Sequence, residues 1–581
     1  MKRIIIDNGV KVLGLICCSA MLAVNTSCEN FLEEKEVPRL TNDYYNSEQG
    51  VEAGVTSIYS YMRDFVGGET INELTEYGND LITGGNDGWN RGANLYNTGM
   101  SSTTGACWSL WNSSYQAIGV ANKVLESMSE VNMTRDKKEQ YTAEINFLRS
   151  YFYFDLVQQF GRIPLVTYAV NEPKTDFKRA SVEDVYKQII TDLRYAEEHL
   201  RETAGGDAQG RATKYAAAHL LAKVYLTRGS AVKDARGQKS TDMDSAYYYA
   251  RKVIDSNKYQ LQRNFADLWD INNMGNSEVV FAVQFTEDKI YNGNGNQSHL
   301  LWCSEYDKFP GMKRDMENGR PYKKHMPTNK TMLELYDRKN DSRFYKSFKW
   351  TFYCNNPTKD LALGDTAVYY SMYPKKNRPY KYTYLQWKAE DIDKQENGMT
   401  NRKNYPHLVK YIDPLRGDDM NRKEGVREWV RMRLGETYLI AAEAAGRKGD
   451  YGLAAELINV IRERAAWHDG ETKMAQYWVE EGGEYNNTES TYEEIKVKAA
   501  DLQNNFVDFI LDERGRELLG EYTRWPDLVR CEKLVEYAKK WNPDSAPNVE
   551  DYHKLRPIPQ NHIDRLNPKG SNEEEQNPGY F

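Results

Sequence analysis

The sequence predicts a mainly α protein: about four antiparallel helix pairs interrupted by a loop-rich, partly β elaboration. Three observations carry this. Helical periodicity dominates residues 107–260 and returns after residue 430. Small residues recur where two helices must cross, most clearly in "GETYLIAAEAAGRKGDYGLAAELINVIRERA" (435–465). Residues 262–430 break the pattern, being rich in Tyr, Trp, Asn, Gly and Lys with short strand-like runs.

The elements follow in chain order. A helix is expected over 48–64, starting near Ser47, and a loop-rich stretch over 66–106. "CWSLWNSSYQAIGVANKVLESM" reads as one helix and "KEQYTAEINFLRSYFYFDLVQQFGRIPLV" contains the next. In the second, Ile145, Leu148, Phe152, Leu156 and Phe160 keep helical spacing while Phe147, Tyr151 and Phe154 widen the stripe. That helix is expected to be buried on most sides, to need a carboxylate for Arg149, and to end at Gly161 and Pro164. Ser181 and Asp184 form a capping box ahead of a helix over 181–200. Residues 214–229 and 244–259 form one helix pair and 435–465 another, the latter resembling a degenerate tetratricopeptide unit of about 34 residues. "SEVVFAVQF" (277–285) is strand-like, and the chain is helical again to about residue 540 before a Pro-rich tail.

The N-terminus has its own logic. Lys2, Arg3 and Lys11 flank an apolar run over 12–24, which is the length of a signal peptide and short for a membrane span. "NTSC" then places Cys28 after a small residue, similar to a lipoprotein cleavage site whose Cys is acylated, although Asn25 departs from the usual aliphatic residue. The predicted organisation is a signal over 1–27, an acylated Cys28 with a tether over 28–46, a helical part over 47–261, the elaboration over 262–430 and a C-terminal helical part over 431–581. The remaining cysteines, Cys107, Cys303, Cys354 and Cys531, lack Cys-x-x-Cys spacing, which argues against zinc and leaves disulfides open.

Net charge is −8 with no long basic run, which excludes nucleic acid as an expected partner. Tyr is abundant at 42 residues, beside 12 Trp, and both types favour ligand contact as well as cores. Two loops pair such rings with turn-forming amides. "GGNDGWNRG" (84–92) carries Trp89 among Asn86, Asp87, Asn90 and Arg91, and "YNGNGNQSHLLWCSEY" (291–306) carries Tyr291, Asn294, Trp302 and Cys303. Rings to stack on beside amides and a guanidinium to hydrogen-bond make these residues the candidate ligand set. Cys303 is placed there only as a neighbour of Trp302.

Other constellations are weaker. "DERGRELLGEYTRWPDL" gathers Asp512, Glu513, Arg514, Arg516, Glu517 and Arg524, but Glu513 and Arg516 stand one helical turn apart, as stabilising pairs do, so no catalytic residue is assigned. Gly293 and Gly295 lack the strand-to-helix context and the lysine of a phosphate loop. The histidines show no metal-ligand spacing and "NDGWN" is not an EF-hand, so no cofactor is expected, with a structural Ca2+ elsewhere left open.

Taken in order, "CENFLEEKE", "WNSSYQAIGVANKVLE", "EINFLRSYFYFDLVQQFGRIPLV", "GRATKYAAAHLLAKVYL", "RLGETYLIAAEAAGRKGD", "ILDERGRELLGEYTRWPDLVR", "LRPIPQNHI" and "QNPGY" resemble the SusD/RagB outer-membrane lipoproteins, from Cys28 to Phe581. The resemblance implies a SusD-like fold and a non-enzymatic, surface-exposed lipoprotein. Such a protein binds oligosaccharides and delivers them to a SusC-like TonB-dependent transporter. It further implies ligand loops in the N-terminal and central parts. Three rival readings stay open: a peptide-binding member of the same architecture, a glycoside hydrolase, and a structural subunit without a ligand of its own.

Overall fold

The computed structural model describes residues 42–580 apart from 89, 232, 234, 391–400 and 418. The expected signal peptide, Cys28 and most of the tether lie outside the described residues. The main helices are α1 (Glu48–Val66), α2 (Glu69–Thr75), α3 (Gly105–Met128), α4 (Arg135–Phe160), α5 (Val182–His199), α6 (Lys214–Ser230), α7 (Asp242–Ile254), α8 (Leu434–Arg447), α9 (Tyr451–Ala465), α10 (Phe506–Glu517), α11 (Arg524–Arg530) and α12 (Leu534–Trp541). Their starts obey local chemistry. The Ser47 hydroxyl accepts from Gly50 N–H and the Ser181 hydroxyl from Asp184 N–H, satisfying amides that the first turn leaves open.

Helix α4 is buried at every residue from Ala143 to Phe160 except Gln158, which its wide apolar stripe anticipates. It stops at Gly161, whose φ of 67° favours glycine. Burying this helix also buries Arg149, which donates two charge-assisted hydrogen bonds to Asp192 of α5 and a third to Asn122 of α3. Helix α7 packs on both α6 and α8, so the pair α8–α9 continues the helical stack across the intervening elaboration.

That elaboration contributes β1 (Ile82–Gly84), β2 (Val279–Val283), β3 (His325–Pro327), β4 (Phe348–Lys349), β5 (Thr351–Tyr353), β6 (Thr366–Ser371), β7 (Thr383–Gln386), β8 (His407–Leu408) and β9 (Trp429–Arg433), β1 being supplied from the N-terminal part. β1 pairs antiparallel with β3, β2 with β9 and β4 with β8, while β5, β6 and β7 form one sheet with β6 and β7 parallel. The elaboration shares the helices' core: Phe281 of β2 meets Phe147 of α4 edge-on with ring centroids 5.2 Å apart.

Where α10 meets α8 and α9, charges are buried in bulk. Glu517 accepts from Arg343, Arg433 and Arg464, and Glu513 accepts from Arg343, Arg462 and Arg516. The Glu513–Arg516 pair read from the sequence is one strand of this network. Cys107, Cys303, Cys354 and Cys531 are free, buried thiols.

One buried carboxylate lacks such support. Glu76, just after α2, accepts from Tyr522 N–H through one oxygen, and its other oxygen has no partner among the described residues. Burial pushes its pKa from 4.5 up to about 8. A raised carboxyl pKa costs nothing below the unfolded value, and the cost grows with pH until it is complete above about 8. Glu76→Gln is therefore expected to raise the melting temperature more at pH 8 than at pH 5; thermal unfolding at the two pH values checks it, and an equal shift would mean the carboxyl stays neutral throughout.

Candidate ligand-binding site

The loop 84–92 is glycine-rich because it runs flush against another backbone. Gly85 and Asp87 donate their N–H groups to the carbonyls of Lys324 and Lys323, and Asn86 donates to that of Arg402. A Cβ on Gly85 would stand 2.4 Å from the Lys323 carbonyl oxygen, and one on Gly88 2.1 Å from the Tyr77 hydroxyl. Asp87 and Asn90 are exposed. Arg91 turns back to α2, donating to Glu73 at 2.7 Å and Glu69 at 3.3 Å, and Lys324 joins Glu69 at 3.1 Å.

Under this loop sits a buried hub. Asp544 accepts from both terminal nitrogens of Arg402, at 2.5 and 2.9 Å, and from Thr83 and Asn94, each at 2.8 Å. Arg402 also donates to the Gly84 carbonyl. One carboxylate thus ties the end of β1, the start of the loop and the segment after residue 400.

The loop 289–297 is equally fixed, and its alternating Asn and Gly explain how. Gly293 and Gly295 have φ of 57° and 59°, in the left-handed region. Asn292 and Asn296 are buried, and their amides donate to the carbonyls of Gly425 and Arg427. Asn296 and Gly425 also exchange both backbone hydrogen bonds. Arg63 of α1 donates to the carbonyls of Gln284 and Tyr291 at 2.7 and 2.5 Å. On this braced backbone the Ile290 and Tyr291 side chains stand 84% and 71% exposed.

Beside the second loop, between it and residues 419–424, lies an open groove of about 610 Å3, lined by Lys289, Asn292, Gly293, Asp419, Arg422 and Glu424 among others. Half-buried Tyr322 lies beside it under Arg320 and Lys423, 5.3 and 6.0 Å from its ring centre. Arg320 also donates to the Asn421 carbonyl. The two loops meet at the α1–α2 junction: Gln297 N–H donates to the Gly67 carbonyl, and Glu69 holds Arg91 and Lys324. The face thus offers a displayed aromatic ring, exposed amides and both signs of charge on a rigid frame.

The SusD family model matches residues 246–580, more than half of the chain. The chain belongs to the SusD family. A second family model, described as starch-binding proteins associating with the outer membrane, matches residues 30–226. The SusD-like protein P2 of Formosa agariphila is 26% identical over 593 aligned residues, covering the whole of both chains. The starch-binding protein SusD of Bacteroides thetaiotaomicron is 29% identical over 193 residues, 32% of this chain and 31% of its own. Among solved structures, a laminarin binding SusD-like protein superposes with a TM-score of 0.65 at 23% identity, covering 92% of this chain and all of its own. That last likeness shows the fold, which is the mainly α SusD-like one.

In this SusD-family chain the candidate residues separate. Trp89 lies outside the described residues. Asp87, Asn90, Tyr291 and Asn294 are exposed and Asn86 half-buried, on the two loops that meet through the α1–α2 junction. Arg91 is there too, with its guanidinium held by two carboxylates.

Two expectations are corrected. Trp302 is only 3% exposed: the short helix at Ser298–Leu301 turns the chain inward, and the indole packs on His325 and Tyr411 while donating to the Tyr522 hydroxyl at 3.4 Å. It is core, not platform. Cys303 is buried too, its sulfur 3.0 Å from His407 Nε2. Ser304 N–H donates to His407 Nδ1, so Nε2 carries the proton that faces the sulfur. Burial raises the Cys303 pKa, while burial and Lys349 lower that of His407 to about 3, so the pair is a neutral core contact.

Sequence reasoning missed Arg63, which reads as an ordinary helix residue, and Tyr322 in "NGRPYKKH". The latter carried a usable signal, a ring between a Gly-Arg-Pro turn and two lysines.

Proposed function

We propose that this protein captures oligosaccharides at the outer face of the outer membrane and passes them, chemically unchanged, to a partner TonB-dependent transporter. Cys28 carries the lipid anchor and residues 29–41 the tether, which is shorter than the 28–46 expected because Asn42–Asn46 form a helical turn that buries Tyr45 in the core. Membership of the SusD family and the starch-binding description of the model over residues 30–226 support the ligand class and the membrane. The names of the laminarin binding and starch-binding relatives point the same way.

The observation that carries the reading is Tyr291. A ring 71% exposed on a backbone held by Arg63, Asn292 and Asn296 is a pre-organised platform, whose binding does not first have to order a loop. Trp89 serves as the second platform, on a loop whose flanks are pinned to residues 323–324. Turnover is not part of the reading: Asp512, Glu513 and Glu517, the carboxylates that could suggest it, are held by Lys330 and by arginines.

Affinity electrophoresis of the protein through a panel of polysaccharides tests this. One glycan should retard the wild type, and Tyr291→Ala and Trp89→Ala should each weaken binding about 30-fold, about 2 kcal/mol, as truncated hot spots do. Retardation that survives both substitutions would move the site to the groove of about 310 Å3 lined by Trp108, Tyr115 and Tyr168. Retention of peptides and of no glycan would favour the peptide-binding reading.

A further inference from the structure

A separate pocket of about 340 Å3 opens where α4, α5 and α6 meet α11 and the C-terminal tail. Its floor is apolar, made by Val157, Tyr186, Val529 and Leu555, and its polar wall carries Arg162, Arg179, Arg236, Arg530 and Lys554 against Glu573. Several of these cations are already answered. Arg530 bonds to Glu443 and Asp527, and Lys554 pairs with Asp551.

Arg162 and Arg179 are not. They hold one another's backbone: Arg179 Nε donates to the Arg162 carbonyl at 2.8 Å, and Arg162 Nη2 to the Arg179 carbonyl at 3.2 Å. The other Arg179 donors go to the Glu574 carbonyl and the Asn577 amide oxygen. Among the described residues both guanidinium groups contact carbonyl and amide oxygens and no carboxylate, although Arg179 is only 8% exposed. Burial first, and then Arg162, lower the Arg179 pKa to about 10, while Glu575 opposes this from beyond contact. Two neighbouring guanidinium groups with neutral oxygens as their contacts and no carboxylate in ion-pair contact, one of them buried, gain from an anion that joins them. Their planar forks suit the paired oxygens of a carboxylate or sulfate.

We infer that this pocket is a second binding site, one for a compact oxyanion, carboxylate or sulfate, borne on a ligand of roughly sugar-ring size. Arg162 and Arg179 hold the oxyanion and the apolar floor receives the body of the ligand. The inference stands on this pocket alone and is independent of the Tyr291 face.

Isothermal titration of the full-length protein in detergent tests it, using sodium glucuronate, inorganic sulfate and neutral glucose as probes at low ionic strength. Glucuronate should bind, glucose should give no heat, and Arg162→Gln and Arg179→Gln should each weaken binding at least tenfold. Added salt should weaken binding in the wild type. Sulfate binding as tightly as glucuronate, with the same loss in both variants, would support the site and identify the free ion as its ligand. Arg162 is exposed and makes one side-chain hydrogen bond, so its variant tests the pocket even if Arg179→Gln unfolds. The inference fails if neither anion binds, if glucose binds as well as glucuronate, or if a well-folded Arg162→Gln binds like the wild type. Tyr291→Ala should leave the titration unchanged.

Discussion

Glu517→Ala is expected to destabilise the fold by about 3–5 kcal/mol, because it removes one partner from a buried ionic network. Glu517 is fully buried at the end of α10 and accepts from Arg343 at 2.8 Å, Arg433 at 2.7 Å and Arg464. Alanine would leave three guanidinium groups short of an acceptor with no water to replace it. Burial alone would raise the Glu517 pKa, but Arg464, Arg433 and Arg343 together hold it at about 2. A depressed carboxyl pKa contributes stability that is present above the unfolded value near 4.5 and is lost as pH falls towards 2. Urea denaturation should therefore show a full gap between wild type and variant at pH 7 that narrows below pH 4.5. A cost below about 1 kcal/mol at pH 7 would mean that the arginines are carried without Glu517 by their other partners, Glu513 for Arg343, Glu278 and Glu521 for Arg433 and Glu278 for Arg464.

Asp544→Ala should cost a similar amount, about 3–5 kcal/mol, and should also weaken glycan retention although Asp544 is buried away from the ligand face. The carboxylate joins Arg402, Thr83 and Asn94, and through Arg402 it holds the Gly84 carbonyl at the start of the 84–92 loop. Removing it takes the Asp544 carboxylate from Arg402 and loosens one of the loop's anchors. The contacts with residues 323–324 and the Arg91 ion pairs with Glu69 and Glu73 remain. Denaturation and affinity electrophoresis on the same variant, the latter well below its melting temperature, separate the two effects. Reduced stability with unchanged retention would show that the remaining contacts are enough to set the loop.

The helices were legible because their signals are local. Ser47 and Ser181 cap the helices they precede, Gly161 ends α4, and the small residues of 435–465 mark a close crossing. Arg149 announced a carboxylate without naming Asp192, which lies on the next helix. The sheets were not legible. β1 is three residues long and pairs with β3 more than two hundred residues later, and β2 pairs with β9 across the rest of the elaboration. Strands so short carry little periodic pattern, and their partners are fixed by the closing of the tertiary structure. Helix α2 was likewise hidden inside a stretch read as loop.

The candidate site divides along the same line. Tyr291 and Trp302 sit in one aromatic, Asn- and Gly-rich stretch, and nothing in their neighbours distinguishes them. One is displayed and the other is core, because the bridge between Asn296 and Gly425 and the turn at Ser298–Leu301 send the chain inward between them. Likewise the glycines of 84–92 signalled a turn, but only the approach of residues 323–324 shows that they are needed to let two backbones touch.

The sequence by itself determined the helical scaffold and, through the order of its motifs along the whole chain, the family, because caps, stops and periodicity act within a few residues. The tertiary structure alone decided which rings face solvent, which charges are paired, and that Arg162 and Arg179 share a pocket. Burial and charge pairing are properties of segments far apart in sequence, and they exist only once those segments meet.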